Sequence, residues 1–184
     1  MLLEKQNTCL AIFNMQLDLI PLLTNGTKLL NDCRWVADVA KSLELPTIII
    51  EHKDLGESSK TLQEVANKAL YMEKTYFDFL NHDEIFEKIE STACNQVVLA
   101  GAESHVCILQ SALGLKKRGK EVFLLMDTCS SRNLEDHKVA LDRTSKHGIH
   151  QITKEMFFFE IIRHSEYPGY IDLAMQFLDG RYIK

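Results

Sequence analysis

Short apolar runs alternate along the chain with segments whose apolar residues recur at helical spacing. The run TCLAIF at Thr8–Phe13 predicts a buried strand. The run PTIIIE at 46–51 predicts a second strand, and its isoleucines are typical of a sheet covered on both faces. Between them, over 27–44, apolar residues fall at steps of four and three and predict an amphipathic helix: Leu29, Cys33, Val36, Ala40 and Leu43.

The same alternation continues through the rest of the chain. Helices are predicted over 60–70, Asp83–Ser91, 105–118 and 134–147, with two more at the C-terminal end. Strands are predicted over 96–100, 121–126 and 148–153. Strands separated by helices imply crossover connections, which predicts an α/β fold of three layers, α-β-α, with a mostly parallel, doubly wound sheet. No repeat or linker divides the sequence, so we expect one domain over 1–184.

A fold of this kind restricts where chemistry can occur. Ligands bind beyond the carboxyl ends of the strands, where the strand order reverses. The residues expected there follow the predicted strands: 14–16, Glu51 and His52, 101–103, 127–129 and Thr153.

Cys107 follows the strand predicted at 96–100 after a short turn. It is therefore expected in the first turn of the next helix, with Ser104 as the N-cap. Free N–H groups and the helix dipole stabilise a thiolate there, and the same groups can hold an oxyanion. A buried cysteine with only a packing role occupies the same kind of position. Position alone leaves both interpretations open.

Composition excludes several classes of partner. The formal net charge is −5, and 26% of residues are charged, so nothing favours nucleic acid or an anionic membrane. The densest basic cluster, 116–120, falls where a helix should end and complements its dipole. No apolar stretch is long enough for a membrane span, and no signal peptide is evident. Five cysteines without CxxC spacing suit free thiols in a cytoplasmic protein.

Four short motifs in register resemble the isochorismatase-like cysteine hydrolases. Residues 101–108 (GAESHVCI) are similar to the signature G-x-E-[ST]-H-V-C-V, and 14–18 (NMQLD) to D-M-Q-x-D. Residues 74–79 (KTYFDF) resemble K-x-x-x-[SA]-x-F, and 127–132 (DTCSSR) resemble D-A-C-[SA]-S-R. The last motif, with ALDR at 140–143, resembles most closely the branch called isochorismatase domain-containing proteins.

The resemblance implies a fold and a set of roles. Cys107 would be the nucleophile and Lys74 the cation that holds the thiolate and the proton relay. The N–H groups of Val106 and Cys107 would form an oxyanion hole. A cis peptide bond is implied between Ala102 and Glu103. The resemblance also implies a small-molecule substrate, no cofactor and a homo-oligomer.

The sequence departs from the family pattern at Asn14, where the family has its catalytic aspartate. An amide cannot take up or return a proton, so the acid/base step lacks its usual residue. Asp18 and Glu103 are the nearby carboxylates that could substitute. The D-x-H-x-H ligand set of metal-binding members is replaced by 51–54 (EHKD), so no metal is expected.

Three functions remain open. The first is a cofactor-free cysteine hydrolase of a small amide, imide or related carbonyl compound, with Cys107, Lys74 and Asn14 as its catalytic residues. The second is a catalytically degenerate member with a binding or assembly role. The third is a thiol redox protein that uses Cys107 and Cys129, although the motif match favours a structural role for Cys129.

Overall fold

The computed structural model describes residues 1–178, so the end of the predicted 1–184 domain lies outside the described residues. Its six strands are β1 (Thr8–Phe13), β2 (Thr47–His52), β3 (Leu70–Lys74), β4 (Gln96–Ala102), β5 (Glu121–Ser130) and β6 (His150–Ile152). They form one sheet in the order β3-β2-β1-β4-β5-β6, and every neighbouring pair is parallel.

The described part of the chain also contains seven α-helices, which connect or follow the strands. They are α1 (Gly26–Ser42), α2 (Lys60–Val65), α3 (Asp83–Ser91), α4 (Leu109–Lys117), α5 (Leu134–Lys146), α6 (Lys154–Ile162) and α7 (Tyr170–Phe177). Within residues 1–178, none is long and apolar enough to cross a membrane. The two helices expected at the C-terminal end are α6 and α7.

Two hydrophobic cores cover the two faces of the sheet. Side chains of β1 alternate between them: Ile12 packs with α1 and α6, whereas Phe13 packs with α3 and α4. All six residues of β1 are buried, as the apolar run at Thr8–Phe13 predicts. The predicted three-layer α/β fold with a doubly wound parallel sheet is confirmed.

The segment 60–70 is the main departure from the predicted elements. A helix was expected throughout, but α2 ends at Val65 and a strand, β3, begins at Leu70. Within residues 1–178 this strand pairs only with β2, at the edge of the sheet, and four of its five residues are partly or fully exposed. An edge strand of mixed polarity has no apolar run to reveal it, so the pattern missed it.

Two strands are longer than expected. The prediction ended β4 at residue 100 and β5 at residue 126, but they continue to Ala102 and Ser130. A register shift follows Leu99, after which Gly101 pairs with Cys129 and Ala102 with Ser130. Residues 127–129 therefore lie in a strand and not in the loop after it.

The strand order reverses between β1 and β4, which places the binding crevice at their carboxyl ends. Gly101 allows the two strand ends to approach closely. Its φ is +107°, and a Cβ atom there would lie 2.2 Å from the main-chain oxygen of Phe13. Only glycine meets both conditions. Asn14 follows Phe13, and the segment bearing Cys107 follows β4, so both residues enter the same crevice.

Candidate active site

Three buried side chains from different parts of the chain meet at this crevice. The Nζ of Lys74 donates a hydrogen bond to Cys107 Sγ at 3.2 Å, and Asn14 Nδ2 donates to the same sulfur at 3.2 Å. The exposed fractions are 0% for Lys74, 4% for Cys107 and 2% for Asn14. The structure therefore brings together the three residues expected to be catalytic.

Asn14 is fixed by its backbone and by its side chain. Its φ is +50°, in the left-handed region that asparagine tolerates better than most residues, and its N–H donates to Ile50 O at 2.8 Å. Besides the sulfur, Nδ2 donates to Ala102 O at 2.8 Å. Within residues 1–178, the Oδ1 atom is buried and has no hydrogen-bond donor.

Lys74 reaches the site from the edge strand that the sequence pattern missed. It is the last residue of β3 and is paired in register with His52. Its main-chain oxygen accepts a hydrogen bond from Lys53 N at 3.0 Å. In the described part of the chain it forms no salt bridge with a carboxylate. A buried ammonium without a counter-charge is costly. The Cys107 sulfur lies at hydrogen-bond distance from this ammonium.

The sequence predicted Cys107 in the first turn of an α-helix, but the structure does not place it there. Residues Ser104–Ile108 form a π-helical turn, and α4 begins only at Leu109. The Ser104 side chain is also not an N-cap. Its hydroxyl donates to Ser130 O at 3.1 Å and lies 2.9 Å from His137 Nδ1. These contacts tie the π-helical turn to the ends of β5 and α5, which the spacing of apolar residues cannot show.

The peptide bond between Ala102 and Glu103 is cis. The Glu103 carboxylate accepts hydrogen bonds from Arg132 Nε at 2.9 Å and from Arg132 N at 3.2 Å. The N–H of Val106, one of the two expected oxyanion donors, already donates to Glu103 O at 3.2 Å. An oxyanion would therefore share this group with the main chain.

A cavity of about 260 Å³ opens onto Cys107. Its polar lining includes Asn14, His52, Asp54 and the Glu103–Arg132 pair. The rest of the lining is apolar: Leu19, Leu22, Leu55, Phe77 and Val106. Pockets of this size with mostly apolar walls suit small ligands. Val106 lies in the π-helical turn and was expected at the site. The other four apolar residues follow no regular spacing, so no pattern in the sequence indicated them.

His52 forms part of the cavity wall. Its ring stacks on Phe77 with centroids 5.9 Å apart. Burial lowers the pKa of His52, and the nearby Lys74 ammonium lowers it further. At neutral pH the ring is therefore uncharged. Sequence reasoning placed His52 at a strand end but assigned it no role.

Two residues singled out from the sequence lie elsewhere. Asp18 is exposed, its carboxylate lies against Gly56, and it does not line the cavity. Cys129 is buried in the sheet. Burial, and to a lesser extent the charge of Asp127, raises the pKa of its thiol well above the ordinary range. All five cysteines are free thiols. Among residues 1–178, no three His, Cys, Asp or Glu side chains are grouped to hold a metal ion.

A domain model and the curated relatives that match this chain carry the same family description. The isochorismatase domain model matches residues 8–156. Isochorismatase domain-containing protein 1 of Salmo salar is 33% identical over 136 residues, covering 73% of this chain and 48% of that protein. Isochorismatase domain-containing protein 2 of Xenopus laevis is 31% identical over 132 residues, covering 71% of this chain and 64% of that protein. The chain thus spans about half the length of the first relative.

Solved structures share the fold at lower identity. The YcaC gene product of Escherichia coli, described as an octameric hydrolase of unknown specificity, superposes with a TM-score of 0.88, 22% identity and coverage of 96% of this chain and 90% of that one. A structure described as the MAR1 ribonuclease of Caenorhabditis elegans gives a TM-score of 0.86, 24% identity and coverage of 100% and 98%. With the domain match over most of its length, the chain belongs to the isochorismatase family.

Proposed function

We propose that this protein is a cofactor-free cysteine hydrolase of small, uncharged amides, imides or related carbonyl compounds, in which Cys107 is the nucleophile. The observation that supports this most directly is the sulfur that accepts hydrogen bonds from Lys74 and Asn14, each at 3.2 Å. Two donors, one of them charged, favour the thiolate over the thiol. The small cavity with mostly apolar walls supports the size and neutrality of the substrate.

The first half of the reaction forms a thioester. The Cys107 thiolate attacks the carbonyl carbon, and the carbon–oxygen π electrons move onto the oxygen, next to the N–H groups of Val106 and Cys107. The carbon–nitrogen bond then breaks. The leaving nitrogen takes a proton from the Lys74 ammonium, which becomes a neutral amine. Lys74 thus provides the proton that the amide of Asn14 cannot give.

The second half restores the site. A water molecule attacks the thioester while the neutral Lys74 amine takes its proton. The intermediate expels the Cys107 thiolate and releases a carboxylic acid. The ammonium–thiolate pair is then re-formed, so no other proton carrier is needed. Glu103 takes no part, because Arg132 holds it as a paired carboxylate.

The alternative is a family member that binds a ligand without hydrolysing it, which the loss of the aspartate at Asn14 favours. A panel of small primary and secondary amides separates the two. We expect turnover by the wild-type protein, a thioester adduct on the Cys107 peptide, and loss of both in Cys107→Ala. Binding of an amide without turnover or adduct would support the alternative.

The assembly state is also a proposal. The structurally similar Escherichia coli protein is described as octameric, and a homo-oligomer is our expectation here. Two apolar residues of the cavity, Leu22 and Phe77, are 61% and 52% exposed in the single chain.

The likeness to the structure described as a ribonuclease shows the fold alone. A chain with a net charge of −5 is also poorly suited to binding RNA, which is a polyanion.

A further inference from the structure

The side-chain nitrogen of Asn14 donates two hydrogen bonds, whereas its side-chain oxygen accepts none from residues 1–178. Nδ2 donates to Ala102 O at 2.8 Å and to Cys107 Sγ at 3.2 Å. A main-chain carbonyl oxygen can only accept, so the amide cannot be turned over to exchange its nitrogen and oxygen. The Oδ1 atom, buried and without a donor among residues 1–178, is therefore a fixed acceptor beside the nucleophile.

Buried acceptors in folded proteins nearly always have a partner, because an unmet one loses its hydrogen bonds to water. Asn14 lines the same cavity as Cys107. A donor arriving with the substrate would meet this need. The nitrogen of an amide is bonded to the carbon that the sulfur attacks, so it comes close to the Asn14 side chain whenever attack is possible.

We propose that Asn14 Oδ1 is a specificity-determining acceptor, which selects substrates with an N–H group on the carbonyl carbon that Cys107 attacks. The favoured class is primary and secondary amides, imides and ureido or carbamate compounds. Esters and tertiary amides present no donor and leave the acceptor unmet. This inference rests on the proposed function and narrows its substrate class.

A matched pair of acylating probes tests the inference: 4-nitrophenyl N-methylcarbamate and 4-nitrophenyl methyl carbonate. The two differ only in N–H against O beside the carbonyl carbon. In both, the carbon–sulfur bond forms as 4-nitrophenolate leaves with its bonding electrons, so no acid is required. Rates of Cys107 acylation at pH 7, followed by nitrophenolate release and adduct mass, are divided by the rates of the same probes with glutathione.

We expect the normalised rate of the carbamate to exceed that of the carbonate by about tenfold, the usual effect of one hydrogen bond to a buried group. Asn14→Asp keeps an acceptor and should keep the preference. Asn14→Gly removes the acceptor, suits the positive φ of +50°, and should bring the ratio close to one. The wild-type ratio stands as a test even if the glycine variant does not fold.

The outcomes separate the two proposals. Fast acylation by both probes with equal normalised rates would overturn the selection by Asn14 and leave the hydrolase proposal intact. A preference that persists in a folded Asn14→Gly protein would also overturn it. Acylation by both probes no faster than that of glutathione would overturn the proposed function, and the inference with it.

Discussion

Lys74 Nζ lies 3.2 Å from Cys107 Sγ, and neither side chain is more than 4% exposed. The two residues come from opposite sides of the central strand β1, one at the end of β3 and one after β4. A charged lysine in this position needs a negative partner, and the amide of Asn14 provides none. We therefore propose that the resting site is an ammonium–thiolate pair.

This pair should be visible in stability as well as in reactivity. Removing one partner of a buried pair leaves the other charge unmet, so Cys107→Ala should lower the free energy of unfolding at pH 7 by about 3 kcal/mol. Adding Lys74→Met should recover most of that loss. Urea denaturation of the single and double variants measures the coupling.

Cys33→Ala serves as a volume control, because Cys33 is also a buried thiol but lies on α1 and packs in the core, away from the site. Its effect should add to that of Lys74→Met. If the effects of Cys107→Ala and Lys74→Met also add, there is no charge coupling between the two groups.

Asn14→Asp should change hydrolysis and alkylation in opposite directions. The new carboxylate can act as a general base and acid, which raises amide hydrolysis by about 10²-fold. It also becomes the counter-charge of Lys74, so the thiol keeps its proton and iodoacetamide labels Cys107 more slowly at pH 6. Initial rates of both reactions are measured on the same preparation.

Asn25→Asp is the matched control for this change. Asn25 is also in the left-handed region, with φ +56°, but it is exposed and does not line the cavity. It should leave both rates unaltered. Faster alkylation in Asn14→Asp would show that Asn14 does not maintain the thiolate.

The Cys107–Asn14 side of this site follows from the sequence better than the Lys74 side. Long buried runs fixed β1 and β4, so the meeting of Asn14 and Cys107 at the strand reversal follows from fold rules. Lys74 lies on an edge strand without an apolar run, and only its resemblance to a family motif pointed to it. The π-helical turn depends on hydrogen bonds of Ser104 to distant residues, which no local pattern encodes.

Arg132 should matter through the charge that it balances. It donates two hydrogen bonds to Glu103, which shares the cavity wall with Cys107. In Arg132→Met the free carboxylate should disfavour the neighbouring thiolate and slow alkylation at pH 7 by a few fold. Arg143→Met, an exposed change on α5, is the control. Equal rates in the two variants would show that the Glu103 charge does not reach the sulfur.

Acid should weaken the fold through His137. Burial lowers the pKa of His137, so below about pH 6.5 the unfolded chain binds a proton that the folded chain does not. The free energy of unfolding therefore decreases as the pH is lowered from about 6.5 towards the lower pKa of His137 in the folded chain. We expect a shallower dependence between pH 7 and 5 for His137→Gln, measured by urea denaturation, and an unaltered one for the exposed His164→Gln. Identical slopes for wild type and His137→Gln would contradict this account.

The sequence gives His137 no visible role, because its contact with the site forms only in the folded chain. It lies on α5, one helix away from the π-helical turn in sequence order, and meets Ser104 Oγ at 2.9 Å only in the folded chain. Sequence reasoning could place the helix but not its contact with the nucleophile segment. Most of the apolar wall was beyond prediction for a similar reason, since Leu19, Leu55 and Phe77 converge from three separate loops.

The most direct test of the ammonium–thiolate pair is the rate of Cys107 alkylation by iodoacetamide between pH 5 and 9, with the labelled peptide located by mass spectrometry. Location is necessary because a hydrogen bond from Cys9 lowers the pKa of Cys94 to about 6. We expect Cys107 in the wild type to be labelled rapidly and almost equally at pH 6 and pH 8, and Lys74→Met to lose the labelling at pH 6. Labelling that rises steeply between pH 8 and 9 in both proteins would contradict a resident thiolate.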